Sequence, residues 1–237
     1  MSVPCGKMAN MLELPKGGNA PLPTSAVHVT LSWTVKPGAP ECDLSALAVG
    51  ENGKVGTDAD FVFYNAASHP TGAITHRGPV RGPGTDTVEV DLAALPQHID
   101  RVVLSASADG APFGRVGAMR VTVSERAGVP LVTTIISGGP ETALVTVELY
   151  RRAGAWKVRA LGAGYADGLA GLARDFGIHI DTPTPAAAAT SPRPATTPAT
   201  PRPAPGAPAP APTPAPRPAA AGGIDWMNPP VPSGYEL

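Results

Sequence analysis

Cysteine, clustered basic residues and long apolar runs are all scarce in this chain, and each scarcity removes a class of function. The two cysteines, Cys5 and Cys42, are too few to staple a secreted scaffold, so a reduced compartment is expected and the cytoplasm fits best. No apolar run approaches the length of a membrane span, and the N-terminal MSVPCGKMANMLELPKGGN lacks the unbroken apolar core of a signal peptide. Neither insertion nor export is signalled. Lys and Arg total 18 against 19 Asp and Glu, a net charge of −1 with no basic block. Neutralising a phosphate backbone needs clustered cations, so nucleic acid is not an expected partner.

Catalytic signatures are missing as well. The histidines, His28, His69, His76, His98 and His179, are scattered, with no pair four residues apart and no adjacent Glu to build a zinc site. The glycine-rich stretch from Gly162 to Gly168 has no Lys-Ser or Lys-Thr step to make a phosphate-binding loop. Neither cysteine has a histidine near it in sequence, and Cys42 reads as a small hydrophobe rather than a nucleophile. The expectation is a protein that is not an enzyme.

Proline is plentiful but unevenly placed. Fourteen of the 30 prolines crowd into the stretch between Thr182 and Ala221, interleaved with Ala, Thr, Arg and Gly. Proline donates no amide hydrogen bond, and alanine buries too little apolar surface to offset chain entropy, so this part should be disordered and extended. The expected organisation is a folded domain over 8–181, a Pro/Ala-rich linker over 182–222 and a C-terminal docking peptide over 223–237. Trp226 and Tyr235 give that peptide aromatic anchors for a protein partner, or for its own domain.

Alternation of apolar and polar residues marks strand after strand in the first 160 or so residues. Val27, Val29, Leu31, Trp33 and Val35 alternate with polar neighbours. Leu44–Val49 and Phe61–Tyr64 are apolar and flank an Asn52-Gly53 turn signal, which predicts a hairpin. Further strands are expected around Val88–Leu92, Arg101–Ala106, Met119–Val123 and Leu131–Ile136. Ala143, Val145, Val147 and Leu149 should share one face, and the run resumes at Trp156, Val158 and Ala160 after a turn at Ala153-Gly154. Leu169, Leu172, Ala173 and Phe176, at spacings of three and four, then predict one short helix ended by Gly177. Eight to ten strands and a single terminal helix predict an all-β fold, an antiparallel β-sandwich.

Carboxylates gather at strand ends and turns: Asp43, Asp58, Asp60, Asp86, Glu89 and Asp91. Calcium takes six to eight oxygens, so acids collected in loops are its usual signature. Against that stand local roles. Asp43 and Asp58 could satisfy turn amides, Asp91 could cap the turn after Val90, and Glu89 reads as a solvated strand residue. Glu141, Arg151 and Arg152 could frame the last hairpin through a buried or surface ion pair.

The segments LPKGGN (14–19), CDLSA (42–46), TDADFVFYN (57–65), VEVDL (88–92) and ETALVTVELYRRAGAWKVRALGAGYADGLAGLARDFGI (141–178) resemble the TerD family of tellurium-resistance proteins. The resemblance runs from about Leu12 to Ile180. It implies a β-sandwich, a cytoplasmic or membrane-peripheral role in tellurite and chemical-stress resistance, and calcium binding without catalysis. Carried onto this sequence, the implied metal ligands are Asp43, Asp58, Asp60, Asn65 and Asp86. Departures from the family pattern at Ser45, Ala66 and the Pro83-Gly84-Thr85 stretch remove ligands, so calcium binding should be weak. An alternative reading gives the activity to the Pro-rich tether and the peptide Asp225 to Leu237, with the domain as a metal-independent scaffold.

Overall fold

The computed structural model describes residues 11–178. The 182–222 linker, the 223–237 peptide and the ends of the expected 8–181 domain lie outside the described residues. Twelve strands and one α-helix make up the described body. In chain order the first six strands are β1 (Leu12–Glu13), β2 (Asn19–Pro21), β3 (Ala26–Ser32), β4 (Cys42–Val49), β5 (Phe61–Val62) and β6 (Ile74–Gly78). Then come β7 (Thr85–Asp91), β8 (Arg101–Ala108), β9 (Ala118–Glu125), β10 (Pro130–Ser137), β11 (Ala143–Arg152), β12 (Ala155–Tyr165) and the helix α1 (Gly168–Phe176).

The strands form two six-stranded sheets, one ordered β1-β10-β9-β3-β7-β6 and the other β2-β12-β11-β8-β4-β5. This is the expected antiparallel sandwich, save that the two-residue β1 runs parallel to β10. Period-two alternation explains how the layers meet, because every second side chain of a strand points to the same face. Val27, Val29 and Leu31 of β3 and Val88 and Val90 of β7 join Leu44, Ala46 and Ala48 of β4 and Val102, Leu104 and Ala106 of β8 in one apolar core. Each fully buried Val or Leu there contributes about 1.5–3 kcal/mol relative to exposure.

The final hairpin follows its sequence closely, and Ala153 and Gly154 take positive φ values of 50° and 75°, the backbone of a tight primed turn. One expected alternation breaks. A register shift between Val145 and Val147 inserts Thr146 as a bulge, so Leu144, Val147 and Leu149 enter the main core while Ala143 and Val145 are buried outside it. The buried Thr146 hydroxyl donates to the Leu104 carbonyl at 2.9 Å.

Beyond the second sheet lies a smaller apolar layer. Leu47, Val103, Leu172 and Ala173 are buried yet stand apart from the main core, and α1 packs on β11 and β12. Leu172 carries this contact at 1% exposure, whereas Leu169, expected on the same stripe, is 40% exposed. Gly177, at φ 75°, caps the helix as predicted, and the Ile178 amide reaches back to the Ala173 carbonyl. No helix among the described residues is long and apolar enough to cross a membrane.

Candidate functional site

Asp86 is the first acid to place, because it ties the two sheets together. It faces inward from β7, 3% exposed, and its Oδ2 accepts the Leu44 amide of β4 at 2.7 Å. The same oxygen lies 2.9 Å from His76 Nε2 of β6, and Oδ1 accepts the Thr87 amide at 2.8 Å. A buried carboxylate must be hydrogen-bonded or paired to be tolerated, and Asp86 is both. Its bond to Leu44 brings it to the start of β4, where Asp43 lies next in the chain.

Asp43 has no such support. Among the described residues no hydrogen bond or ion pair holds its side chain. Burial, then the charge of Asp86, raises its carboxyl from 3.8 to about 6, with His76 opposing and Glu41 and Asp109 adding to the rise. The Tyr64 hydroxyl is likewise raised by burial and then by Asp43 and Asp109, so the end of the Phe61–Asn65 segment also comes to this place. Asn65 is half-buried beside it in sequence. A cavity of about 540 Å³ opens here, with Trp33, Lys36, Glu41, Asp43, Thr85 and Asp86 among its walls. Cys42 is buried, and its thiol is pushed up to about 12 by burial and then by Asp43 and Glu41.

Asp58 and Asp60 sit elsewhere. They occupy a 3-10 turn over Asp58–Asp60 leading into β5, and Phe61 pairs with Leu47, four residues along β4 from Asp43. That offset is roughly 13 Å of strand. Asp60 Oδ2 accepts the Gly56 and Thr57 amides, each at 2.8 Å, while Oδ1 meets His69 Nε2 at 2.9 Å. His69 is fixed in turn by Thr71 Oγ1, 2.7 Å from its Nδ1. Asp60 therefore closes a capping box. Asp58 is exposed on the same turn. The five sequence-predicted ligands thus fall in two places, Asp43 and Asp86 with the Asn65 end of its segment in one, Asp58 and Asp60 in the other. Among the described residues no three His, Cys, Asp or Glu side chains converge as a ready metal cluster.

Other acids resolve individually. Asp91 caps its turn as expected, its Oδ1 accepting the Ala93 and Ala94 amides at 3.1 Å. Glu89 does not behave as a solvated strand residue. It is 8% exposed and is gripped by Arg77 on Oε2 and Arg126 on Oε1. Glu141 and Arg151 form no ion pair with each other, since Glu141 accepts the Gly139 amide while Arg151 donates to the Leu95 carbonyl and lies over the Trp156 ring. Neither arginine of the Glu89 pair was marked in the sequence, because they lie 12 and 37 residues from it.

The geometry defines a class: an antiparallel β-sandwich with one C-terminal helix, its two sheets joined at an edge by a buried aspartate next to an unsupported one. Within that class the chain belongs to the TerD family, whose domain matches residues 10–176. It is 36% identical to the tellurium resistance protein TerD of an Alcaligenes species over 188 residues, covering 71% of this chain and 98% of that protein. It is 35% identical to the TerD of Serratia marcescens, with the same two coverages of 71% and 98%. General stress protein 16U of Bacillus subtilis is 34% identical over 66% of this chain and 89% of its own length.

Proposed function

We propose that this protein confers resistance to tellurite or related chemical stress by binding rather than by turnover, and that it holds calcium weakly at Asp43 beside Asp86. The observation that carries the cation reading is the unsupported Asp43 carboxylate, raised by its buried position and by a second acid. Two negative groups held together away from solvent favour a divalent cation, which removes the repulsion that burial imposes.

The donor set fits a weak site. Calcium asks for six to eight oxygens at about 2.3–2.6 Å. Asp43 offers both carboxylate oxygens, whereas Asp86 already accepts from Leu44, Thr87 and His76 and has little capacity left. Asn65 lies on the segment that reaches this edge, and water would complete the shell. Few charged ligands place such a site at about 10⁻⁴–10⁻³ M. Asp58 and Asp60 stand outside this proposal, Asp60 because its oxygens are committed to Gly56, Thr57 and His69. Membership of the TerD family and the names of the relatives support the stress role, and a cytoplasmic location belongs to the same proposal.

Survival under tellurite tests it. Cells lacking their own TerD proteins but expressing this chain should survive a higher tellurite concentration than empty-vector cells, and Asp43→Asn should reduce that protection. Equal survival of vector and wild-type cells, at confirmed expression, would refute the resistance reading.

A further inference from the structure

The two sheets treat their outer faces differently. The second sheet is covered in part by α1, but the outer face of the first carries a polar hollow of about 520 Å³. On its floor Thr87 and Thr30 stand side by side on β7 and β3, and Thr122 of β9, paired with Thr30 on its other side, lines a neighbouring hollow. Thr30 and Thr87 share a hydroxyl hydrogen bond of 3.1 Å. In the next row His28 stands between Glu89 and Ser124.

Around this floor are Arg77, Arg81 and Arg126, and the only acid lining the hollow is Glu89. Glu89 is already neutralised. Arg77 engages it through Nε and Nη2, and so does Arg126, one on each carboxylate oxygen. Both hydrogen bonding and charge from these two arginines outweigh burial and hold the Glu89 carboxyl below its usual range. Each guanidinium thereby presents one edge to Glu89 and keeps its remaining N–H groups for another acceptor. Arg81 makes no ion pair among the described residues. Three guanidinium charges stand against Glu89 and against Asp91, whose Oδ2 lies 3.8 Å from Arg126 Nη2, which leaves a local surplus of about one positive charge in a chain that is nearly neutral overall.

We infer that this hollow is an oxyanion site that takes a phosphate-type group, free or esterified. Guanidinium forks match the paired oxygens of such groups, and the threonine hydroxyls supply neutral donors beneath them. Glu89 acts as the clamp that fixes two of the forks in place before a ligand arrives, which lowers the ordering cost of binding. Arg81, exposed and making no ion pair among the described residues, supplies the third guanidinium to the anion.

Calorimetric titration of the full chain with inorganic phosphate, and sedimentation with phosphatidylcholine vesicles carrying phosphatidic acid, test the site and separate its two sources of phosphate. Saturable binding of phosphate with a Kd of about 1 mM or tighter assigns a free anion. Vesicle binding without phosphate binding assigns a lipid headgroup. In either case Arg81→Glu should weaken binding at least about tenfold, a loss of about 1.4 kcal/mol, whereas Arg152→Glu at the distant β11–β12 turn should leave it unchanged. Arg81 and Arg152 are both exposed, so neither variant threatens the fold. No saturable binding of phosphate up to about 10 mM and none of vesicles would overturn the inference. Equal losses in the two variants would overturn it too, because they would show a general charge effect.

Discussion

Replacing Asp43 by Asn should stabilise the metal-free protein at neutral pH, although it removes a residue argued to be functional. The carboxyl rises from 3.8 to about 6 on folding, through burial first and Asp86 second. Below about pH 4 the carboxyl is protonated in both folded and unfolded chains and costs nothing. Between about 4 and 6 the unfolded chain releases its proton first, so stability falls as pH rises, and above 6 the full penalty applies. At about 1.4 kcal/mol per pH unit the rise corresponds to about 3 kcal/mol. Partial access to water reduces it, so a gain of about 1–3 kcal/mol is expected for Asp43→Asn. Thermal unfolding in chelator at pH 7.5 should show a Tm higher by about 3–10 °C. At pH 4 the difference should shrink toward zero. Calcium at ten times its Kd should raise the wild-type protein by about 1.4 kcal/mol and leave the variant unmoved. An Asp43→Asn protein that is less stable at pH 7.5, or equally stabilised at both pH values, would refute the electrostatic reasoning.

Other perturbations have equally definite outcomes. Phe113 is fully buried in the core, so Phe113→Ala should cost about 3–5 kcal/mol in urea unfolding. Gly138→Ala should also destabilise, because an added Cβ would meet Phe113 Cβ at 2.1 Å; wild-type stability in the same assay would contradict that contact. Glu89, held below its usual range by Arg77 and Arg126, contributes stability above its unfolded pKa that is lost as pH falls through its folded one. Glu89→Gln should therefore destabilise at pH 7 and much less at pH 3, as read by circular dichroism melts. Cys42, with its thiol pushed up to about 12, should resist alkylation in a Cys5→Ser background until denaturant is added; rapid labelling of the native protein would show the site to be open.

What the sequence revealed depended on how local the signal was. The β3 and hairpin strands were legible because their alternation runs over seven or more residues, β4 and β8 because they are continuous apolar runs, and the helix because Leu172 and Gly177 obey its period and its stop. The short β1 and β2 have too few residues to show a period. In β6, His76 takes an inward position that a hydrophobic pattern would have marked with an apolar residue, and its reason is Asp86, ten residues away. The Thr146 bulge left no trace in composition, yet it changes which of Val145 and Val147 faces the core.

The same limit applied to the candidate site. Asp43 and Asp86 were marked by residue type and family resemblance, but which acids meet was set by strand register across two sheets. Pairing Phe61 with Leu47 puts Asp58 and Asp60 at one end of β4 and Asp43 at the other. The arginines of the outer hollow never cluster in the sequence. They converge because β6, the loop after it and the end of β9 meet on one sheet face, so an overall charge of −1 concealed a local positive surplus.

Titration of calcium into the metal-free full chain, compared with Asp43→Asn and Asp58→Asn, addresses the central claim most directly. The account predicts one weak saturable event at about 10⁻⁴–10⁻³ M that Asp43→Asn abolishes and Asp58→Asn preserves. An isotherm unaffected by Asp43→Asn, or no heat at all from the wild-type protein, would contradict it.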